Sequence, residues 1–427
     1  MGQNLKAVAK IISEFEKEKL IQAYSNQLAP LSEDEINHLE QSDFHKEFDK
    51  QGVFNRIEFL HQRNINFEYV TGKKQFSEPE TLKGNIEHFI GMAQIPIGLA
   101  GPILIHGTKA NGEFYIPLAT TEGAMISSYH RGMKAIRASG GVTSVCISEG
   151  TQRSPFFKFN NIGEVGIFIK FILENSHKFD EIVSQSSRFA KLIDLKINIE
   201  GNSVIVTFEY TTGDASGQNM VTICTDNICQ YILSNFEVKP VEWYIESNYS
   251  GDKKATNLSF ANVRGKKVTS EIVLPTRIIE RILKSTPEKI QKYWQSSTLG
   301  VIQSGAIGAQ GHVANGLAAI FIACGQDVAC ISESSVGITR MELNAEGNLY
   351  VAVTLPSIIV GTVGGGTKLP TQTECLNMLG CNGIGHARKF AEICGAVALA
   401  GEISIAAAMS ANHFTRAHQL FGRKKHE

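Results

Sequence analysis

Glu122, Lys253, Asp327 and two C-terminal histidines, His413 and His418, are the residues whose types and settings could do chemistry in this chain. Carboxylates and imidazoles pass protons, and a lysine can hold positive charge against an oxygen that becomes anionic. Each also has an ordinary explanation. Glu122 follows Thr120 and Thr121 at the start of a predicted helix, where the dipole favours a carboxylate whatever its role. Lys253 sits in Asp252-Lys253-Lys254, just beyond a small domain; adjacent lysines are commonly solvated surface, yet domain junctions are where ligand sites gather. Asp327 follows a predicted helix, after Gly325, and a carboxylate near a helix C-terminus is disfavoured. A neighbouring lysine would compensate it. His312 and Asn315, three apart on that helix, share a face, with a packed core histidine as the simpler reading. His413 and His418 are five apart, about 140° around a helix, so they cannot grip one ion together. No metal site is expected.

Two glycine-rich stretches could bind phosphate. GTVGGGTKLP, residues 361–370, nearly matches the phosphate-binding loop pattern, but Thr367 and Lys368 stand in reversed order, and this reading ranks low. TTGDASGQNM, residues 211–220, joins a predicted strand to a predicted helix through a tight turn, which offers free backbone N–H groups to an anion. Asp214 at its entrance would repel a pyrophosphate, and a capped turn is the competing reading.

The bulk properties bound the class. The chain has 427 residues, 43% hydrophobic and 19% charged, with a formal net charge of −1. No basic footprint points to nucleic acid. Eight cysteines include no CxxC pair and lie mostly in apolar runs, which suits buried reduced thiols in a cytoplasmic protein rather than disulfides or zinc. The longest apolar stretches, 313–331 and 390–409, contain Asp327 and Glu402 and read as core helices, not membrane spans. The N-terminus lacks a signal-peptide core.

The elements that must position these residues form an α+β fold. Residues 1–84 read as a helical N-terminal region, with helical periodicity in 7–24 and 31–41. Residues 85–154 and 246–427 read as a large mixed domain around a buried central helix. Within it, 114–119 is a strand, and 120–136 a helix capped by Thr120 or Thr121. A helix is expected over 276–285, another over 302–325, strands near 336–343 and 348–356, and a run of helix to about 420. Residues 155–245 read as an inserted small domain. Its order is strand, helix over 163–179, a short helix over 186–192, a hairpin of 193–200 and 204–212 around Gly201-Asn202, helix 217–235 and strand 238–246. That is the ferredoxin-like order.

Five islands occur in order: IPIGLAGPI, ATTEGAMISSYHRG, TGDASGQNMVT, DKK and GTVGGGTKL, with HVANGLAAIFIACGQD before the last. Together they make residues 85–418 similar to the hydroxymethylglutaryl-CoA (HMG-CoA) reductase family. GQDVACISESS and the C-terminal half resemble its class I, eukaryotic-like members. The resemblance implies an oxidoreductase that reduces (S)-HMG-CoA to mevalonate and CoA with two NADPH, in the mevalonate route to isoprenoids. It implies Lys253 as the catalytic cation, Asp327 as its partner, Glu122 as proton donor and His418 as the acid for the CoA thiolate. Glu122 would then need burial and the nearness of Asp327 to keep a proton. Arg153, Asp252, Lys254 and Asn315 match the HMG-binding set, and Ser128 with Arg131 the CoA-contacting helix face. Asp214, Ser216, Gly217, Gln218, Asn219 and Met220 match the dinucleotide fingerprint, in which Gln218 stands where the family carries Met. Ser187 and Arg188 match the pair near the ribose 2′-phosphate, favouring NADPH over NADH. Gly365 and Thr367 fall near the nicotinamide end. Lys424 occupies the position of a regulatory serine, so no phosphoregulation is expected there. The family implies at least a homodimer, possibly a homotetramer, with sites between subunits, no membrane span and no nucleic-acid partner.

Overall fold

The computed structural model describes residues 12, 29–41 and 49–411. Among the described residues ten strands form one sheet, and β3 (Val142–Arg153) is the strand both halves share. Its first half pairs with β1 (Ile97–Gly107) in parallel and with β8 (Gly265–Leu274) antiparallel. Its last residues, Thr151–Arg153, pair instead with β6 (Ser203–Thr211). On the large side β2 (Asn111–Ala119) pairs β1, and β10 (Leu349–Ile358) lies between β8 and β9 (Ile338–Leu343). On the small side β7 (Glu242–Tyr244), β4 (Phe156–Lys158), β6 and β5 (Lys191–Glu200) are neighbours in that order, all antiparallel. This is the ferredoxin-like arrangement, and the hairpin turns at Gly201-Asn202 because Glu200 pairs with Ser203. A separate, phenylalanine-rich core under Phe157, Phe168, Phe179 and Phe208 holds the small sheet to its helices.

α1 (Glu33–Gln41) and α2 (Lys50–His61) belong to the N-terminal region. Ser32 and Glu35 exchange hydrogen bonds as a capping box at the start of α1. The helix expected over 7–24 lies outside the described residues. The large domain is built on α3 (Met125–Ala138), α7 (Pro287–Ser304), α8 (Val313–Ala323), α9 (Pro370–Met378) and α10 (Ala387–Ser410). α10 is the central helix. It is long and apolar enough to cross a membrane, but 83% of its apolar window is buried within the protein. Small residues let its neighbours come close. A Cβ on Gly132 of α3 would overlap the Ala400 carbonyl, and one on Gly401 would lie 2.5 Å from the Tyr129 ring. Two buried carboxylates of α10 anchor loops. Glu392 accepts from the Thr108 hydroxyl and from the N–H groups of Lys109, Ala110 and Cys146. Glu402 accepts from Gly311, His312 and the Thr339 hydroxyl.

The small domain holds α4 (Ile162–Glu174), α5 (Ser176–Ser186) and α6 (Gln218–Asn235). Here the sequence periodicity misplaces three elements. The helix expected over 163–179 breaks at Asn175, and its second part runs to Ser186, while 186–192 leaves the helix and enters β5. The strand expected over 238–246 shortens to three residues. In the large domain the helix expected over 302–325 holds only the end of α7, a loop and α8, and the rest of α7, from Pro287, lies before it. α7 ends on left-handed Gly305 (φ 71°), and the following loop is tied to Glu402, so α8 starts only after His312. The helix expected over 276–285 is a single short π-helical segment, Ile279–Leu283, after three α-helical residues. The C-terminal helical run is broken between Met378 and Ala387.

Gly132→Ala should lower stability by about 3 kcal/mol through overpacking, read as a lower denaturant midpoint. Gly166→Ala, in α4 with open space around it, should instead raise stability by roughly 0.5–1 kcal/mol through helix propensity. Equal effects at the two positions would refute close packing of α3 on α10.

Candidate active site

Lys253 lies in the loop that returns the chain from the small domain to β8. Its backbone is left-handed (φ 56°), a conformation that disfavours non-glycine residues. Two bonds hold it there. The Lys253 N–H donates to Glu333 Oε1 at 3.0 Å, and the Lys254 N–H donates to the Gly251 carbonyl at 3.0 Å. Glu333 is fully buried, and its other oxygen accepts from Arg264 Nε at 2.6 Å. Burial pushes the Glu333 carboxyl above its usual range, opposed by the Arg264 charge and the bonds from Arg264 and the Lys253 N–H. Arg264 continues to the Gln152 carbonyl (3.1 Å) and to Asp252 Oδ1 (3.0 Å). Asp252 Oδ2 accepts from Arg153 at 3.0 Å. Glu333, Arg264 and Glu246, which also pairs with Arg153, were not singled out from the sequence. The only available signal was a glutamate in the small polar run ISESS, six residues past Asp327.

The side chain that this loop presents meets Asp327: Lys253 Nζ and Asp327 Oδ2 are 2.8 Å apart. The carboxylate that looked misplaced is thus compensated by the expected lysine. It also caps the next turn, since Asp327 Oδ1 accepts from the Ala329 N–H at 3.0 Å. Burial raises the Asp327 pKa, but the Lys253 bond, the Ala329 N–H, the Lys253 charge and the Cys330 thiol together bring it below 3.8. The bond to Asp327 lifts Lys253 above 10.5.

GTVGGGTKLP braces this corner. Gly325 and Gly366 touch backbone to backbone, and a Cβ on Gly366 would lie 2.7 Å from the Gly325 carbonyl. A Cβ on Gly361 would lie 2.6 Å from the Ser216 nitrogen, and the Thr362 N–H donates to the Asp214 carbonyl at 2.8 Å. The loop therefore joins the small domain's turn to the Asp327 turn. Gly364 and Gly365 are left-handed (φ 79° and 54°), and the Thr367 hydroxyl closes back onto the Gly364 carbonyl.

Glu122 belongs to a second group. It is exposed, and it lies before α3 rather than in its first turn, because the helix starts at Met125 after left-handed Ala124 (φ 68°). Thr120 does not cap α3; its hydroxyl accepts from the Glu122 N–H at 3.0 Å. Glu122 Oε2 accepts from Asn315 Nδ2 at 3.1 Å. Asn315 is in the first turn of α8, while His312 precedes the helix, stacks on Tyr129 and bonds the Gly401 carbonyl, so the two share no helical face. Asp327 lies beyond the other end of α8, whose 11 residues span roughly 16 Å. The burial expected for Glu122 is absent among the described residues. His413, His418 and Lys424 lie outside the described residues.

Other candidates are engaged internally. Ser128 and Arg131 both bond Ser404 of the central helix. Arg153 is buried, facing Asp252, Glu246 and the Gln218 carbonyl, and its Nε has no partner among the described residues. Lys254 reaches the Asp252 carbonyl with an exposed side chain. Asp214 accepts from the N–H groups of Gly385 (2.7 Å) and Ala387 (3.1 Å), capping the central helix. The register Lys191↔Thr211 brings the segment holding Ser187 and Arg188 to the same sheet end as the turn holding Ser216, Gly217, Gln218, Asn219 and Met220. Ser187 accepts from the Phe189 and Ala190 N–H groups, and Arg188 is exposed. Gly217 is left-handed (φ 82°) at the N-terminus of 18-residue α6, leaving an anion-binding end.

A family model described as hydroxymethylglutaryl-coenzyme A reductase matches residues 52–423. The chain is 42% identical over 355 residues to 3-hydroxy-3-methylglutaryl-coenzyme A reductase of Pyrococcus abyssi, covering 81% of this chain and 86% of that one. It is 41% identical over 374 residues to the enzyme of that name from Methanocaldococcus jannaschii, covering 86% and 89%. Against 3-hydroxy-3-methylglutaryl-coenzyme A reductase 1 of Arabidopsis thaliana it is 38% identical, covering 79% of this chain and 58% of that one. A solved structure of the class II enzyme from Streptococcus pneumoniae bound to NADPH shares the fold, with a TM-score of 0.67 at 19% identity over 86% of this chain and 99% of that one.

Glu333→Ala would strand the Arg264 cation and free the Lys253 N–H. A loss of about 3–5 kcal/mol in unfolding free energy is expected; a loss under 1 kcal/mol would refute the anchor. The pair's pH window follows from the two shifts. The lowered Asp327 pKa makes its contribution present above 3.8 and lost only as pH falls through the lower folded value. The raised Lys253 pKa makes its contribution present below 10.5 and lost only as pH rises through the higher folded value. An NMR titration showing Lys253 deprotonating below 10.5 would contradict the pairing.

Proposed function

The chain belongs to the hydroxymethylglutaryl-coenzyme A reductase family, and we propose how its residues divide the reduction of (S)-HMG-CoA to mevalonate and CoA. The observation that carries the reading is the Lys253–Asp327 pair, 2.8 Å apart and contributed by two separate loops. A lysine held charged by a carboxylate is suited to the thioester carbonyl, where hydride addition leaves an oxyanion. The same cation serves the second reduction, of mevaldehyde. NADPH, when bound, supplies one hydride to each reduction.

The small domain fits that dinucleotide. The Gly217 turn offers N–H groups at the start of α6, and exposed Arg188 at the same sheet end suits a 2′-phosphate, which favours NADPH over NADH. Asp214 contributes by fixing the turn on the central helix rather than by touching the cofactor. Gly365 and Thr367 shape the corner beside Asp327. Lys254 is the accessible cation for the HMG carboxylate, with buried Arg153 holding Asp252 behind it. Ser128 and Arg131 give the CoA-facing side of α3. Glu122, with Asn315, donates protons, and His418 protonates the CoA thiolate.

Two features support a homodimer with shared sites. Glu122–Asn315 and Lys253–Asp327 lie at opposite ends of α8 in one chain, so a compact site needs a second copy. The chain between residues 83 and 97 has no helix or strand and exposes Ile86, Ile90 and Met92, with Ile90 fully exposed; such a stretch suits burial against a partner. A tetramer would be two such dimers. Eight free, buried cysteines suit the cytoplasm.

Absorbance loss of NADPH that depends on HMG-CoA tests the reading; a folded dimer without turnover with NADPH or NADH would sink it. Lys253→Ala should lower kcat by at least about 10²–10³-fold with the fold intact. Arg188→Ala should raise KM for NADPH and leave that for NADH unchanged. Ile90→Asp should shift the mass in solution from at least twice the chain mass to one chain, with loss of turnover; an active monomer would contradict shared sites.

A further inference from the structure

Gln218 is the first residue of α6, in the turn proposed for the cofactor, yet its side chain points into the catalytic corner. With its amide oriented to satisfy both neighbours, its NH2 donates to Asp252 Oδ1 at 3.3 Å and its oxygen accepts from Arg264 Nη2 at 3.1 Å. Its backbone carbonyl accepts from Arg153 Nη2 at 3.3 Å. One residue therefore touches both arginines and the carboxylate that those arginines share. Asp252 is the residue before Lys253, and Arg264 is bound to Glu333, which holds the Lys253 N–H. Gln218 thus touches the residue before the left-handed lysine, Asp252, and lies one contact, through Arg264, from the Glu333 that holds the Lys253 N–H. A methionine thioether has no N–H for Asp252 and only a weak acceptor for Arg264.

We propose that Gln218 is a positioning residue that couples the cofactor turn to the loop carrying Lys253, so that filling the turn orders the catalytic lysine. This rests on the functional reading above. A direct cofactor contact would act on NADPH affinity; coupling acts on the lysine once NADPH is bound. The network is partly buried, and hydrogen bonds to charged groups are among the stronger ones, so their loss is expected to be measurable.

The test compares the full chain with Gln218→Met and Gln218→Glu. Gln218→Met should lower kcat about tenfold while the NADPH Kd, measured by calorimetry, changes less than about threefold. Gln218→Glu keeps the acceptor for Arg264 but sets a second carboxylate against Asp252. Its larger defect should shrink as pH falls and the introduced carboxyl gains a proton that it can donate to Asp252. Hydrogen exchange gives a readout that needs no turnover. NADPH should slow exchange of amides 250–256 in the parent chain and not in Gln218→Met. Unchanged kcat with weakened NADPH binding, or equal NADPH protection of 250–256 in both proteins, would overturn the proposal. A parent chain that binds NADPH without turning over HMG-CoA would overturn the functional reading alone, because the exchange comparison would still decide the coupling.

Discussion

Arg264 and Glu333 meet 2.6 Å apart, with side chains only 3% and 1% exposed. Charges taken so far from water are tolerated only when their hydrogen-bonding capacity is filled. That requirement reaches outward. The remaining Arg264 donors take the Gln152 carbonyl at the end of β3 and the Asp252 carboxylate, while Glu333 takes the Lys253 N–H. Three chain segments far apart in sequence therefore share one mutual arrangement. The Lys253 ammonium arrives at Asp327 on a backbone that Glu333 holds in place.

The same device recurs away from that corner. Glu374 gathers the N–H groups of residues 68, 69 and 70; Glu392 and Glu402 gather those of two loops against the central helix; Asp214 caps that helix from the small domain. A carboxylate has several acceptor positions, so a single side chain can satisfy several amides that no ladder reaches. Where a side chain would intrude, glycine allows backbones to touch, as at Gly325 against Gly366 and Gly361 against Ser216. Polar anchoring and glycine contacts together let a loop-built site be as fixed as one built on a sheet.

Much of the architecture was legible from local pattern. The hairpin at Gly201-Asn202, helix α6 and the order of small-domain elements follow from alternation and turn residues, which act over a few positions. The errors fall where a distant group decided. The helix expected over 302–325 runs through a loop because 304–325 is small and helix-compatible, and the start of α7 at Pro287 lies before it; the break depends on Gly305 and on Glu402, about a hundred residues later. Glu122 looked like a helix-terminal carboxylate because Thr120 is a good cap, but that hydroxyl bonds Glu122 itself. The motifs mark Arg153 and Asp214 as expected site residues, but not the groups that occupy their polar atoms.

The sequence by itself determined the family, the α+β class and the expectation that Asp327 needs a cation. These rest on residue identity, spacing and the dipole of one helix, all of which are local. Only the tertiary structure decided which lysine atom meets Asp327, why Lys253 can hold a left-handed backbone, and that Gln218 faces Asp252 and Arg264 rather than solvent. Those outcomes depend on buried charges finding partners up to about a hundred residues away, and such a search is settled by packing in three dimensions, not by any window of sequence.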